Sequence, residues 1–363
     1  MPDSDSSAKQ VCDGRLRPFE ERLALAWPPE RWLDSGVLVA FSGGADSTAL
    51  VAALAALAKT QAQRRSPSDA TDAAREPIVA AHFNHRLRGA ASDADARHCV
   101  ETSQRLGVPC VVGEGNAAIL AGEQGDGLEA AARDERYRFL ETTAARLGLR
   151  YLATAHTLDD QAETVLQRVL RGTGPAGLAG IPRVRSAAVG TIGLVRPLLG
   201  FRRREVLEYV DVCGLPYRTD ASNADVRFTR NRIRHELLPQ LVRDYNPQLV
   251  ESLGRLATQA DELREIIAGL VAPLVERAVV REDAMSCELD CRALREVPRH
   301  LVREVLIAVW RRRAWPEQAM GFAEWDRLAA AVQDNDEATT FMLPGTVRAQ
   351  KKGASLMLTR PSG

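Results

Sequence analysis

Short apolar runs and helical stripes take turns along the first half of the chain. Val37–Phe41 (VLVAF) is apolar throughout, short, and closed by a glycine turn, which predicts a buried strand. IVAAH at 78–82, VPCVV at 108–112 and YLATAH at 151–156 have the same character and predict three more. Between them the apolar positions fall into helical runs: from Thr48 to an end near Lys59, over 92–106 opened by Ser92 and Asp93, over 127–147, and along LDDQAETVLQRVLRG up to Gly172. Strands alternating with helices predict an α/β fold built on a doubly wound, mostly parallel sheet. Residues 16–34 read as a helix or turn leading in, broken by Pro28 and Pro29, and 60–77 as a polar, alanine-rich surface insertion.

Beyond Gly172 the pattern loosens. TGPAGLAGIPRVRSAAVGTIGLVRPLLGF is rich in glycine and proline and predicts loop with one short strand near 192–195, then a helix over Arg202–Cys213. A connecting segment leads into a region expected to be all helical from 240 to 333, and the alternation around Lys351-Lys352-Gly353 predicts a closing hairpin. The expected organisation is a lead-in at 1–34, an α/β domain with its linker at 35–239, and a mainly helical second domain at 240–363.

Composition adds limits. With 363 residues, 45% of them hydrophobic and 26% charged, the chain is of globular type and long enough for two or three domains. No run of 18 apolar residues is present, so no membrane span is predicted, and the polar start MPDSDSSAKQ predicts a cytoplasmic protein. Cysteines at 12, 99, 110, 213, 287 and 291 include one CxxxC with no second pair, which predicts ordinary thiols rather than a zinc site. The net charge of zero hides local excess: residues 196–243 carry ten arginines against six acids, and 292–313 seven against two. Such stretches can steer an anionic polymer, although arginine is also simply the preferred base of this chain.

Polar residues collect just after the predicted strands, at Ser42–Ser47, His82–His85 and His156–Asp160. Open α/β sheets bind ligands at that edge. In the first group Gly43 and Gly44 let backbone N–H groups face a ligand at a helix start, which makes an anion site. Asp46 alone would repel a polyphosphate, so its presence predicts phosphate held together with magnesium. The loop lacks the lysine of GxxxxGK[ST] and is not GxGxxG; a plain glycine turn is the simpler alternative.

Asp159 and Asp160 sit in the first turn of a predicted helix, where acids also suit the helix dipole, and Glu163 is one turn on. His156 can donate to phosphate, orient an acceptor, or simply pack in the core. Asn84 and His85 can reach nucleotide or acceptor. Arg133 and Arg136 share a helix face suited to phosphate or a base, and RFTRNRIR at 227–234 has an arginine density that favours phosphate or RNA backbone.

SGGADS after a strand resembles the pyrophosphatase loop of the N-type ATP pyrophosphatase (PP-loop) superfamily. AAHFNHRLRG, GLEAAARDERYRFL, LATAHTLDDQAETVLQRVLRGTGPAGLAGIP and the run from Val195 to Leu241 extend the likeness, and residues 35–245 resemble the bacterial tRNA(Ile)-lysidine synthetase family. That family often has a second histidine after the one matching His156, where this chain has Thr157. The resemblance implies an adenine nucleotide alpha hydrolase-like fold, use of ATP and Mg2+, and coupling of L-lysine to the wobble cytidine in the CAU anticodon of tRNA(Ile), with release of pyrophosphate and AMP.

On the matching positions it implies catalytic roles for Asp46, His156, Asp159 and Asp160, and ATP contacts at Ser42, Gly43, Gly44, Ala45, Asp46, Ser47, His82, Asn84 and Arg133. Magnesium would fall to Asp46 and Asp160, and the other substrates to His85, Glu163, Arg202, Arg227, Arg230 and Arg232. Residues 240–363 are expected to match one tRNA-holding domain without the further C-terminal domain of longer members, leaving the grip to 196–313 or to a second subunit of a homodimer. A 2-thiocytidine-type enzyme would want cysteine pairs beside the fold, and a non-enzymatic RNA-binding protein would not need the loop and its acids.

Overall fold

The computed structural model describes residues 16–64, 76–86, 89–115, 128–188, 192–218, 229–317, 320–334 and 338–360. It divides into two compact units, 1–258 and 259–363.

The first unit opens with α1 (Pro18–Ala26), then β1 (Val37–Ala40), α2 (Ala45–Arg64), β2 (Ile78–Asn84), α3 (Ala90–Arg105), β3 (Cys110–Glu114), α4 (Leu128–Arg146), β4 (Tyr151–Ala153) and α5 (Leu158–Leu170). A short α6 (Pro175–Leu178) and the strands β5 (Val184–Ser186) and β6 (Gly193–Val195) follow, then α7 (Arg203–Val212). The sheet runs β3-β2-β1-β4-β6-β5, parallel except where β5 pairs antiparallel with β6. This is the mostly parallel α/β sheet expected. The strand order reverses between β1 and β4, so the loops leaving those two neighbours open side by side.

Burial explains the central strands. Val37, Leu38 and Val39 are all buried, because one sheet face packs against Leu50, Leu54 and Leu57 of α2 and the other against Tyr137, Leu140 and Ala144 of α4. α1 is held at the rim by Phe19, stacked on Tyr209 at 4.3 Å, and by the Tyr209 hydroxyl donating to Glu20 at 2.7 Å.

Several boundaries differ from the sequence reading. α2 runs on to Arg64, past the expected end near Lys59; the rest of the expected insertion, 65–75, lies outside the described residues. β5 was expected to be loop. All three of its residues are exposed, so no burial pattern marks it.

After Thr229 the chain forms α8 (Thr229–Arg232), a wide π turn (Ile233–Leu237) and α9 (Leu238–Asp244). Pro239 accounts for the turn: it has no N–H to give the carbonyl four residues back, and its ring pushes that carbonyl away. α10 (Leu249–Ala278) carries Gly254, where an added Cβ would lie 2.4 Å from Leu158 Cδ1. That close approach packs α10 onto the start of α5 through Ala162, Leu238 and Val250.

The second unit corrects the expectation of helix throughout 240–333. It contains β7 (Val279–Glu282) and β8 (Ser286–Asp290), besides α11 (Arg299–Arg312) and α12 (Phe322–Gln333). The expected hairpin is present as β10 (Val347–Lys352) and β11 (Ser355–Thr359), but as part of a five-stranded antiparallel sheet, β7-β8-β11-β10-β9, with β9 at Thr340–Leu343. Cys287 and Leu289 point inward at the period of a strand, and Cys291 follows on the same face. The CxxxC is core-lining, with both thiols free and buried.

Candidate active site

The loop after β1 is organised by its own hydroxyls and glycines. Gly43 takes a φ of +80°, which favours glycine, and a Cβ there would sit tightly at 3.1 Å from Cys99 Sγ. Ser47 Oγ donates to Gly44 O at 3.0 Å and accepts from Ser42 N at 3.2 Å, while Thr48 Oγ1 donates to Gly44 O at 3.0 Å. The chain returning after α7 closes the other side, with Arg218 N donating to Gly43 O at 2.9 Å. Ala45 and Asp46 form the first turn of α2, so the amides of that helix start face the sheet edge.

Asp46 is the loop's carboxylate, and it is half satisfied. Arg203 Nη1 lies 3.5 Å from Oδ2, but Oδ1 is buried without a hydrogen-bond partner. Burial pushes its pKa up to about 6, against the pull of Arg203 and with a further push from Asp160. An orphaned acceptor beside a helix N-terminus suits a phosphate–magnesium pair, in which the cation supplies the missing partner.

The loop after β4 supplies the acids. Thr157 caps α5 reciprocally with Asp160: Thr157 N and Oγ1 both donate to Asp160 Oδ2 at 2.9 Å, and Asp160 N donates to Thr157 Oγ1 at 3.4 Å. The threonine that stands for the family's second histidine is therefore a helix cap. The other Asp160 oxygen accepts from Arg230 Nη2 at 2.9 Å and Arg234 Nη2 at 2.8 Å. Glu163, 2% exposed, accepts from Arg230 Nε at 3.2 Å and from Arg234 Nε at 2.5 Å and Nη2 at 2.9 Å. Burial alone would raise the pKa of Asp160; Arg230, the Thr157 amide, His156 and Arg234 outweigh it and hold the carboxyl below the usual range.

Asp159 faces the other way. It accepts from Arg202 Nε at 3.2 Å and Nη2 at 3.3 Å and from Arg203 N at 2.7 Å, and Arg202 also donates to Glu251. Arg202 and Arg230, expected as contacts to substrate, are thus engaged with the acids of the same site. Arg232 is exposed on α8, and Arg227 lies outside the described residues. Arg203 and Arg234 were not singled out by sequence; the arginine runs 202–204 and 227–234 were the available signal.

The three histidines of the expected site divide. His156 Nδ1 is 3.0 Å from Thr154 Oγ1, and burial, against the pull of Asp160 and aided by Arg196, Arg230 and Arg133, lowers its pKa to about 4. It is neutral at pH 7. His82 is buried beneath the loop, its Nδ1 2.9 Å from Phe41 O and 3.3 Å from Cys99 Sγ, where it braces the strand end. His85 lies beside Phe83, with Nδ1 3.9 Å from Glu135 and a pKa lowered by burial and Arg136 to about 4. Asn84 is spent on local structure: its amide donates to Asp93 at 2.9 Å and accepts from Arg86 N at 2.9 Å. Arg133 lies over the Tyr137 ring at 5.2 Å.

Gln161 shapes the near wall. Its side chain donates to Ala179 O and Ile181 O, each at 3.2 Å, and accepts from Ile181 N at 2.6 Å, closing the glycine-rich loop over α5. Among the described residues no three His, Cys, Asp or Glu side chains form a metal cage. Magnesium is commonly held by only one or two carboxylates together with substrate phosphates.

The comparisons agree with this geometry. Residues 19–241 match the family model of the PP-loop domain. The chain is 38% identical over 293 residues to the tRNA(Ile)-lysidine synthase of Geobacter sulfurreducens, covering 80% of this chain and 57% of that protein. It is 33% identical over 331 residues to that of Rhodopirellula baltica, covering 85% and 82%. The U34-tRNA thiolase NcsA of Methanococcus maripaludis, solved with its 4Fe–4S cluster, shares the fold with a TM-score of 0.50 at 17% identity, over 66% of this chain and 77% of that one. The loop, the acids after β4 and the extent of these matches lead to one assignment: the chain belongs to the tRNA(Ile)-lysidine synthase family of PP-loop proteins.

Proposed function

We propose that the chain is an ATP-dependent ligase that adenylates the C2 oxygen of the wobble cytidine in the CAU anticodon of tRNA(Ile) and joins the ε-amine of L-lysine to that carbon. In the first step the C2 oxygen attacks the α-phosphorus of ATP and pyrophosphate leaves. In the second the neutral amine attacks C2, AMP leaves, and the nitrogen loses a proton. The observation that carries this reading is the unpartnered Asp46 Oδ1 in the loop after β1, facing the edge where the acids after β4 also lie.

Each group has a part the geometry supports. The loop amides and the start of α2 bind the triphosphate. Asp46 is the carboxylate free to take magnesium, which when bound would neutralise charge between loop and phosphates. Asp160 can join it only by giving up Arg230 and Arg234. Asp160 and Glu163 already hold cationic heads at 2.5–3.2 Å, so the same pair suits a lysine ammonium that displaces the guanidinium groups. Neutral His156 serves as a hydrogen-bond partner to phosphate or base rather than as a general base at pH 7.

The test is product release by the full chain with ATP and Mg2+, with lysine and CAU-anticodon tRNA(Ile) each present or omitted. Pyrophosphate release that requires the tRNA, AMP release that also requires lysine, and a lysine-sized gain in tRNA mass are expected. Pyrophosphate release indifferent to tRNA, or sulfur entering the base, would overturn the reading.

A further inference from the structure

We infer that Tyr137 and the four arginines around it, Arg133, Arg136, Arg185 and Arg196, form a seat for RNA backbone phosphates beside the β4-β6-β5 side of the sheet. The inference rests on the reading of RNA as a substrate and names a surface that would hold it. The guanidinium carbons of Arg133, Arg136 and Arg185 lie 5.2, 5.7 and 5.5 Å from the centre of the Tyr137 ring. Arg196 lies against the same phenol: burial lowers its pKa, the Tyr137 hydroxyl favours its charge, and Arg185 and Arg133 oppose it.

These arginines differ from the others of the site. Arg202, Arg203, Arg230 and Arg234 each meet a carboxylate. None of the four around Tyr137 has a carboxylate partner among the described residues. Arg196 is 3% exposed; its Nη1 donates to Pro182 O at 2.5 Å, and its Nε has no partner. Four cations about one ring repel one another, and a buried guanidinium N–H without an acceptor adds to the cost. An anion seated among them offsets the mutual repulsion.

The placement is built rather than accidental. Pairing of β5 with β6 sets Arg185 opposite Leu194, and Arg196 N donates to Arg183 O at 3.0 Å. Ala188 N donates to Glu141 at 3.1 Å, tying the hairpin to α4. The cluster borders the loop after β4, since Thr154 N donates to Val195 O at 3.0 Å, one residue before Arg196. ATP phosphates are served by the loop after β1, whereas this group reaches out to the edge strand, with Arg133 and Arg185 exposed where a polymer can lie across them. Guanidinium groups on an aromatic face suit phosphodiester oxygens and an unstacked base together.

The test measures affinity of the full chain for CAU-anticodon tRNA across a salt series, with ATP affinity measured in parallel. Arg185→Ala is expected to weaken tRNA binding about tenfold and to reduce the slope of log K against log salt by about one, with ATP affinity unchanged. Arg185→Lys is expected to restore the slope, which a purely structural role would not predict. An unchanged tRNA affinity and slope in Arg185→Ala, beside a wild-type chain that binds the tRNA, would overturn the seat alone. Lost ATP affinity with tRNA binding intact would assign the cluster to the nucleotide instead and overturn it equally. A wild-type chain that binds no tRNA would remove the functional reading and the seat together.

Discussion

Arg203 satisfies Asp46 from one side only: its Nη1 is 3.5 Å from Oδ2, while Oδ1 is buried with nothing to accept from. One guanidinium at that distance does not offset burial, and the carboxyl is pushed up to about 6. The loop thus holds a carboxylate in a place that disfavours its charge until a cation arrives.

This has a signed consequence. Because the folded-state pKa is raised from 3.8 to about 6, the native chain binds more protons than the unfolded chain between those values. Stability falls as pH rises across that window, and the penalty is full above it. Asp46→Asn should therefore raise the unfolding temperature at pH 7.5 in the absence of nucleotide, by a few degrees for about 1–2 kcal/mol, and change little below pH 4. The same variant should lose AMP release. Thermal scans at the two pH values check the sign; equal shifts at both would reject it.

Arg234 is the main partner of a nearly inaccessible carboxylate. Arg234→Ala leaves Glu163 with Arg230 alone, and the loss is expected at about 3 kcal/mol, because breaking a buried pair strands a charge. Glu163→Gln combined with Arg234→Ala should recover part of it. Denaturant melts of the two variants decide. The depressed pKa of Asp160 works the opposite way to that of Asp46: its stabilisation is present above the unfolded value near 4 and is lost as pH falls below it.

Gly43→Ala should disrupt the loop for two separable reasons, the left-handed backbone and the 3.1 Å approach to Cys99. A loss of about 1–2 kcal/mol and at least about tenfold in ATP affinity is expected. Cys99→Ala in the same chain relieves only the nearer contact, leaving His98 Cδ2 at 3.3 Å and the backbone angle, so rescue should be partial. Full rescue would show that the backbone angle is unimportant.

His156 should not titrate in the working range. Its pKa near 4 predicts an imidazole signal constant from pH 6 to 9 by NMR. His156→Gln should lower activity without moving the acid limb of the pH profile. A shift of that limb would make His156 an acid–base group.

The strand–helix alternation of the first unit was legible because buried parallel strands must be apolar along their whole length, and VLVA and IVAA are. β5 was not, since an exposed edge strand of three residues needs no burial pattern. β8 was visible in principle as Cys287 and Leu289 alternating with polar neighbours, but five residues in an acidic setting gave a weak period. In the site, the SGGADS loop could be read directly, because amide exposure and helix polarity are local properties. The roles of His82 and Asn84 could not: both stand at a strand end where ligands bind, and only packing shows their polar atoms already spent on Phe41, Cys99, Asp93 and Arg86.

The sequence by itself determined the α/β class, the phosphate loop and the three polar groups at the strand ends, since each depends on neighbours within a few residues. Only the tertiary structure decided which acid faces which arginine. Asp159 and Asp160 are adjacent in the chain, yet successive positions on a helix point about 100° apart. One meets Arg202 and the other Arg230 and Arg234, 43 to 74 residues away. That choice leaves Asp46 as the loop carboxylate with an open oxygen, and no local pattern could have shown it.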